Sequence, residues 1–60
     1  MIDIGSLVRN KHPFHPAIAI VIDHWIEDKS GEYHTVVKWL SGYFVGRRTA
    51  EYNEDLEVIA

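Results

Sequence analysis

Apolar and polar positions alternate along most of this chain, with short polar or glycine-containing interruptions, and that pattern predicts strands. Isoleucine and valine supply 13 residues against seven leucines and alanines together. β-branched side chains lose rotamer freedom in a helix and pack well on a pleated surface. No window of 11 or more residues carries apolar groups at helical i, i+3, i+4, i+7 spacing with capping residues at its ends.

Residues 2–9 read as a first strand. Residues 10–16 (Asn-Lys-His-Pro-Phe-His-Pro) cannot form a regular ladder, because Pro13 and Pro16 remove amide donors and restrict their predecessors. Residues 17–26 are the clearest strand. Ile18, Ile20, Ile22 and Ile26 share one parity, with Ala17, Ala19, Val21, Asp23 and Trp25 on the other. Large aliphatics therefore line one face, and His24 falls on their side. Residues 27–33 make a polar turn around Asp28, Lys29, Ser30 and Gly31.

Residues 34–40 and 43–49 flank Ser41-Gly42, a two-residue hairpin signal. That register sets Leu40 against Tyr43, Trp39 against Phe44 and Val37 against Gly46, leaving room for a bulky group over the glycine. Residues 50–55 are acidic and turn-like, and residues 56–59 form a closing strand. Five short strands bury most apolar surface by curling into a small barrel, which also removes exposed edges. The expected fold is all-β, one five-stranded barrel over residues 1–60.

Length sharpens this picture. Sixty residues hide only about 60% of the extended-chain surface on folding. There is no cysteine, so disulfides and thiolate zinc sites are excluded. The longest apolar run, residues 17–22, is far short of a membrane span, and no basic–apolar leader opens the chain; the expected setting is cytoplasmic.

Ile4-Gly5-Ser6-Leu7-Val8-Arg9, Ala19-Ile20-Val21, Val37-Lys38-Trp39-Leu40-Ser41-Gly42 and Asp55-Leu56-Glu57-Val58-Ile59 resemble small SH3-like barrels, above all the short SH3-like proteins encoded by bacteriophages, including phages of cyanobacteria. Tudor- and KOW-type modules share that architecture. The resemblance implies five strands, a long loop after the first, a short helical turn before the last, and no cofactor. It also implies that exposed aromatics gather near the long loop and the turn before the last strand. The chain departs from KOW modules, which carry a glycine where Ala17 and Ala19 flank Ile18, and from proline-binding SH3 domains, which carry Ala-Leu-Tyr-Asp-Tyr and an acidic first loop.

Candidate chemistry is sparse. His12 and His15 are spaced for metal contact, but no second pair matches them, and a structural site needs about four ligands. Ser6, Ser30 and Ser41 stand where turns favour serine, and Asp23 and His24 point to opposite faces of a strand, so no catalytic constellation emerges. Large rings are numerous for so small a core, which argues that some are meant to be covered by a partner. Phe14, Trp25, Tyr43 and Tyr52 are the candidate contacts with another protein, and Arg47 and Arg48 would select an acidic one. Pro13-Phe14-His15-Pro16 formally matches a PxxP ligand but is pinned between strands. The alternative is a nucleic-acid surface of Arg9, Lys11, Lys38, Arg47 and Arg48, against which a net charge of −3 weighs. A further alternative is a homo-oligomer, a virion or scaffold part associating through an edge strand.

Overall fold

The computed structural model describes residues 2–12 and 14–60. Pro13, with its expected effect on the first loop and its part in the PxxP match, lies outside them. Five strands form one antiparallel sheet: β1 (Leu7–Asn10), β2 (Ile18–Ile26), β3 (Tyr33–Trp39), β4 (Arg48–Glu51) and β5 (Leu56–Val58). Their order is β4-β3-β2-β1-β5, and a 3₁₀ turn, η1 (Asn53–Asp55), precedes β5. The all-β reading, the strand number and the helical turn before the last strand hold. Closure does not: no ladder joins β4 to β5, so the barrel stays open and both short edges keep unpaired backbone.

The first strand starts later than expected. Gly5 adopts φ +93°, and the Ser6 amide donates to the Asp3 carbonyl at 3.1 Å, so residues 3–6 turn before pairing begins.

The core is thin and uses the smaller side of β2. Val8, Ala19, Val21, Val37, Trp39 and Leu56 are buried together, with Ile2 and Ala17 packed against them. Ile18 is 39% exposed, and Ile20 and Ile22 are only half-buried, so the isoleucine row faces outward. The physical reason is β1 and β3: Ala19 pairs with Val8 and with Trp39, and the large indole occupies the space that an alanine leaves. The Trp39 Nε1 donates to Thr49 Oγ1 at 2.8 Å, which satisfies the one polar atom of that buried ring.

Between Val21 and Asp23 the β2–β3 register shifts by a bulge at Ile22. One extra residue in one strand reverses the parity beyond it. His24 therefore leaves the isoleucine side and pairs with Thr35 on the core side, its ring centroid 5.4 Å from that of Tyr33 and its Nε2 2.6 Å from the Ile2 carbonyl oxygen. Trp25 moves to the outer side, opposite His34.

The two-residue hairpin does not form. Val37 pairs with Thr49 and Lys38 with Arg48, and residues 40–47 are a loop. The expected Leu40–Tyr43, Trp39–Phe44 and Val37–Gly46 pairs are absent, and residues 50 and 51 belong to β4 rather than to a turn. Turn bonds build the loop: Val45 N to Gly42 O at 3.3 Å, Arg47 N to Phe44 O at 2.8 Å, and Gly46 N back to Trp39 O at 2.8 Å. Gly42 and Gly46 take φ +83° and +84°, the left-handed region, and nothing lies over Gly46. Phe44 is consequently exposed rather than core. At the other end, Gly31 N donates to Glu27 O at 2.8 Å, closing the polar turn where it was expected.

The assignment of faces is checked by a pair of truncations. Leu56→Ala, at a 5% exposed site, should lower unfolding free energy by about 2–5 kcal/mol, and Ile18→Ala by about 1 kcal/mol or less. Urea denaturation reads both as midpoint shifts at constant slope. Equal losses would contradict an outward isoleucine row.

Candidate functional site

The loop of residues 10–17 and the loop of residues 40–47 meet at one end of the sheet, because β2 begins where β3 finishes. Side chains lock them together. Asn10 closes the first loop, donating through Nδ2 to the His15 carbonyl at 3.0 Å and accepting the Ala17 amide on Oδ1 at 2.9 Å. Ser41 Oγ accepts the Ile18 amide at 2.9 Å, tying the second loop to the start of β2. A Cβ placed on Gly42 would stand 2.9 Å from Ala17 Cβ, so the loops touch where glycine permits it.

Between them lies a groove of about 1020 Å³. Phe14, His15, Tyr43 and Phe44 wall it, Trp39 and Thr49 line it deeper in the sheet, and Arg47 and Glu51 supply its charge. Tyr43 is 90% exposed and Phe14 81%, and the His15 and Tyr43 rings meet edge-to-face at 6.2 Å across the gap between the loops. Asn10, Ser41 and Thr49 already spend hydrogen bonds inside the protein. The groove offers a ligand apolar rings, the Glu51 carboxylate, the Ser41 and Thr49 hydroxyl protons, and the Arg47 guanidinium, which has no ion-pair partner among the described residues.

The six candidate partner-binding residues do not form one surface. Phe14, Tyr43 and Arg47 share the groove. Arg48 points to the outer side with Lys38, its ladder partner. Trp25 and Tyr52 sit on that outer side at the opposite end of the strands, flanking His34. The expected gathering of aromatics near the long loop and the turn before the last strand is thus replaced by two separate groups.

The second group is a row of rings across β2, β3 and the end of β4. Trp25 stacks on His34 with centroids 4.9 Å apart and 27° between planes, and Tyr52 lies 4.7 Å from His34 on the other side. Such contacts contribute about 0.5–1.5 kcal/mol each beyond area burial. The neighbours leave His34 only 8% exposed, with its Nδ1 buried and without a hydrogen-bond partner among the described residues. Glu32 Oε2 accepts the Tyr52 hydroxyl at 2.9 Å and stands 3.9 Å from His34 Nε2. That hydrogen bond, and the charges of Glu32, Glu54 and Glu27, hold the Tyr52 hydroxyl above the ordinary tyrosine range. Burial pushes Tyr33 the same way.

His34 and Glu32 are not site candidates in the sequence reading, which considers His15 only for metal contact and Phe44 only as the cross-strand partner of Trp39. Nothing local marks the first two: they join Trp25 and Tyr52 only once the bulge fixes the register. His15 and Phe44 enter the groove only because the 40–47 segment is a loop.

The remaining candidates are placed as follows. His12 Nδ1 accepts the Phe14 and His15 amides, each at 3.2 Å, so that lone pair shapes the loop and is not free for a metal. Among the described residues no group of three or more metal-ligating side chains gathers. Arg9 donates to Glu57 at 2.9 Å across the β1–β5 ladder, which leaves Lys38 and Arg48 as an isolated basic pair rather than part of a continuous stripe. No helix among the described residues is long and apolar enough to cross a membrane.

Two measurements check this geometry. Gly42→Ala must carry both a left-handed backbone and a clash with Ala17, and should cost at least about 1–2 kcal/mol with amide chemical-shift changes at Ala17 and Ile18. Gly5→Ala, at φ +93° with nothing within 4 Å, bears the backbone term alone and should leave those amides in place. In a tyrosinate absorbance titration, Tyr52 should ionise above pH 10, and Glu32→Gln should bring its step down. A hydroxyl held neutral more firmly when folded contributes stability below pH 10 that is lost as pH rises through its folded value. An unchanged step in Glu32→Gln would contradict the Tyr52–Glu32 bond.

Comparison with family models, with curated proteins and with solved structures finds no match for this chain.

Proposed function

We propose that this chain is a non-enzymatic protein-binding module whose contact surface is the groove between the two loops. The observation that carries this reading is the pairing of Phe14 and Tyr43, 81% and 90% exposed, on the two walls of one preformed cleft. Large rings held in water by a hydrogen-bonded loop gain about 25 cal/mol per Å² when a partner covers them. They lose little further rotamer freedom in doing so. Arg47 adds selectivity for a partner carrying a carboxylate. The resemblance of the sequence motifs, taken alone, supports a bacteriophage accessory protein acting in the host-cell cytoplasm.

The competing nucleic-acid reading makes a different quantitative demand. A binder held by about three phosphate contacts loses roughly 40-fold in affinity between 50 and 200 mM salt. An aromatic-anchored contact changes far less over that interval.

The test is retention of partner protein on the immobilised chain, compared with a Phe14→Ala/Tyr43→Ala double variant of unchanged melting temperature. Truncating two central anchors should weaken retention by about 30-fold or more, with only a few-fold dependence on salt. Retention that survives the double variant, or a chain that shifts DNA or RNA in a gel with steep salt dependence, would overturn the proposal.

A further inference from the structure

The fold sorts charge by strand end in a way that the order of residues does not show. Arg9, Lys11, Lys38, Arg47 and Arg48 all stand toward the groove end, where β1 and β3 finish and β2 and β4 begin. Glu51, Asp55 and Glu57 are the acids that accompany them, and Glu57 is consumed by Arg9, so this end keeps a net positive charge. The opposite end carries Asp23, Glu27, Asp28, Glu32 and Glu54, with Lys29 its one lysine or arginine among the described residues. The nine residues of β2 hold these ends about 25 Å apart, well beyond a Debye length of roughly 8 Å at physiological salt, so they act as separate surfaces.

Each end also carries exposed rings. The basic end has the groove with Phe14 and Tyr43. The acidic end has Trp25 and Tyr52, 49% and 43% exposed, bracketing a buried His34 whose Nδ1 lacks a partner among the described residues. The two surfaces are thus opposite in charge and alike in offering aromatic area.

We infer that the occupant of the groove is a second copy of this chain, entering with its acidic Trp25–Tyr52 end, so that copies associate head to tail. This rests on the reading of the groove as a protein-binding site and names its partner. Unlike surfaces meeting in this way make a heterologous contact, which closes as a ring or continues as a filament according to the rotation per step. The area suffices: two contacts of about 600 Å² per copy, the low end for a specific interface, would cover less than a third of the 4316 Å² surface.

Sedimentation and light scattering of the full chain, from micromolar to millimolar and at 20 and 500 mM salt, test the inference. At low salt the mass should rise above 6.9 kDa with concentration, and 500 mM salt should weaken that rise without abolishing it. A Phe14→Ala/Tyr43→Ala variant has a dead groove and an intact acidic end; a Glu27→Lys/Glu54→Lys variant has the converse. Each alone should remain monomeric. Their equimolar mixture should form a 1:1 dimer that grows no further, since only one live end remains on each copy. Glu54→Lys alone replaces the lysine pair if that pair melts early. A wild-type chain that stays at 6.9 kDa throughout, or a variant that associates as the wild type does, overturns the second-copy inference. The groove reading falls separately, if the Phe14→Ala/Tyr43→Ala variant retains a different protein as strongly as the wild type does.

Discussion

One extra residue in β2 organises much of this molecule. A strand that kept strict alternation from Ile18 to Ile26 would place His24 outward beside the isoleucines and Trp25 inward beside Ala19 and Val21. The bulge at Ile22 exchanges them. His24 then closes the core side near Ile2 and Tyr33, while Trp25 reaches the outer side, where His34 lies directly opposite. Without that exchange, the Trp25–His34–Tyr52 row and the aromatic character of the acidic end would not exist. Bulges increase local twist, which suits a sheet that must wrap a small core.

That core is economical. Trp39 fills the space that Ala19 leaves, and Val8, Val21, Val37 and Leu56 complete the cluster. Thr35 is also fully buried, and its hydroxyl donates to Asn53 Oδ1, which anchors η1 against β3 and so directs the chain into β5. A chain of this length cannot bury every apolar group it carries. Part of the remainder lies at the groove and along the outer face, where a partner copy would cover the former, and Ile4, Ile26, Val58 and Ile59 are exposed elsewhere.

The groove itself depends on loop architecture rather than on the sheet. Asn10 and His12 fold the first loop on its own amides, Ser41 fastens the second loop to Ile18, and Gly42 lets the two touch. Exposed rings dominate the groove walls, with Arg47 and Glu51 adding one charge of each sign. Charge complementarity with the far end follows from antiparallel pairing, which brings Lys38 beside Arg48 and sends Glu27 and Glu32 to the other end of the sheet.

Several features were legible in the residues themselves. The abundance of isoleucine and valine, the polar turn at residues 27–33 and the absence of helical spacing determine an all-β chain of five strands. They are local properties, set by rotamer freedom and turn chemistry. Phe14, Tyr43 and Arg47, singled out from the residues alone, line one groove. The rest needed tertiary structure. Ser41-Gly42 reads as a tight hairpin, yet Trp39 and Thr49 choose a register that makes residues 40–47 a loop, because the buried indole requires a hydrogen-bond partner. The isoleucines of β2 read as the core face, yet Val8 and Trp39 from neighbouring strands select Ala19 and Val21 instead. Sequence alone determined that strands form and roughly where. Register, which strand face is buried, and which charges share an end were decided only by pairing between distant segments, since each depends on side chains that alternation along one strand cannot see.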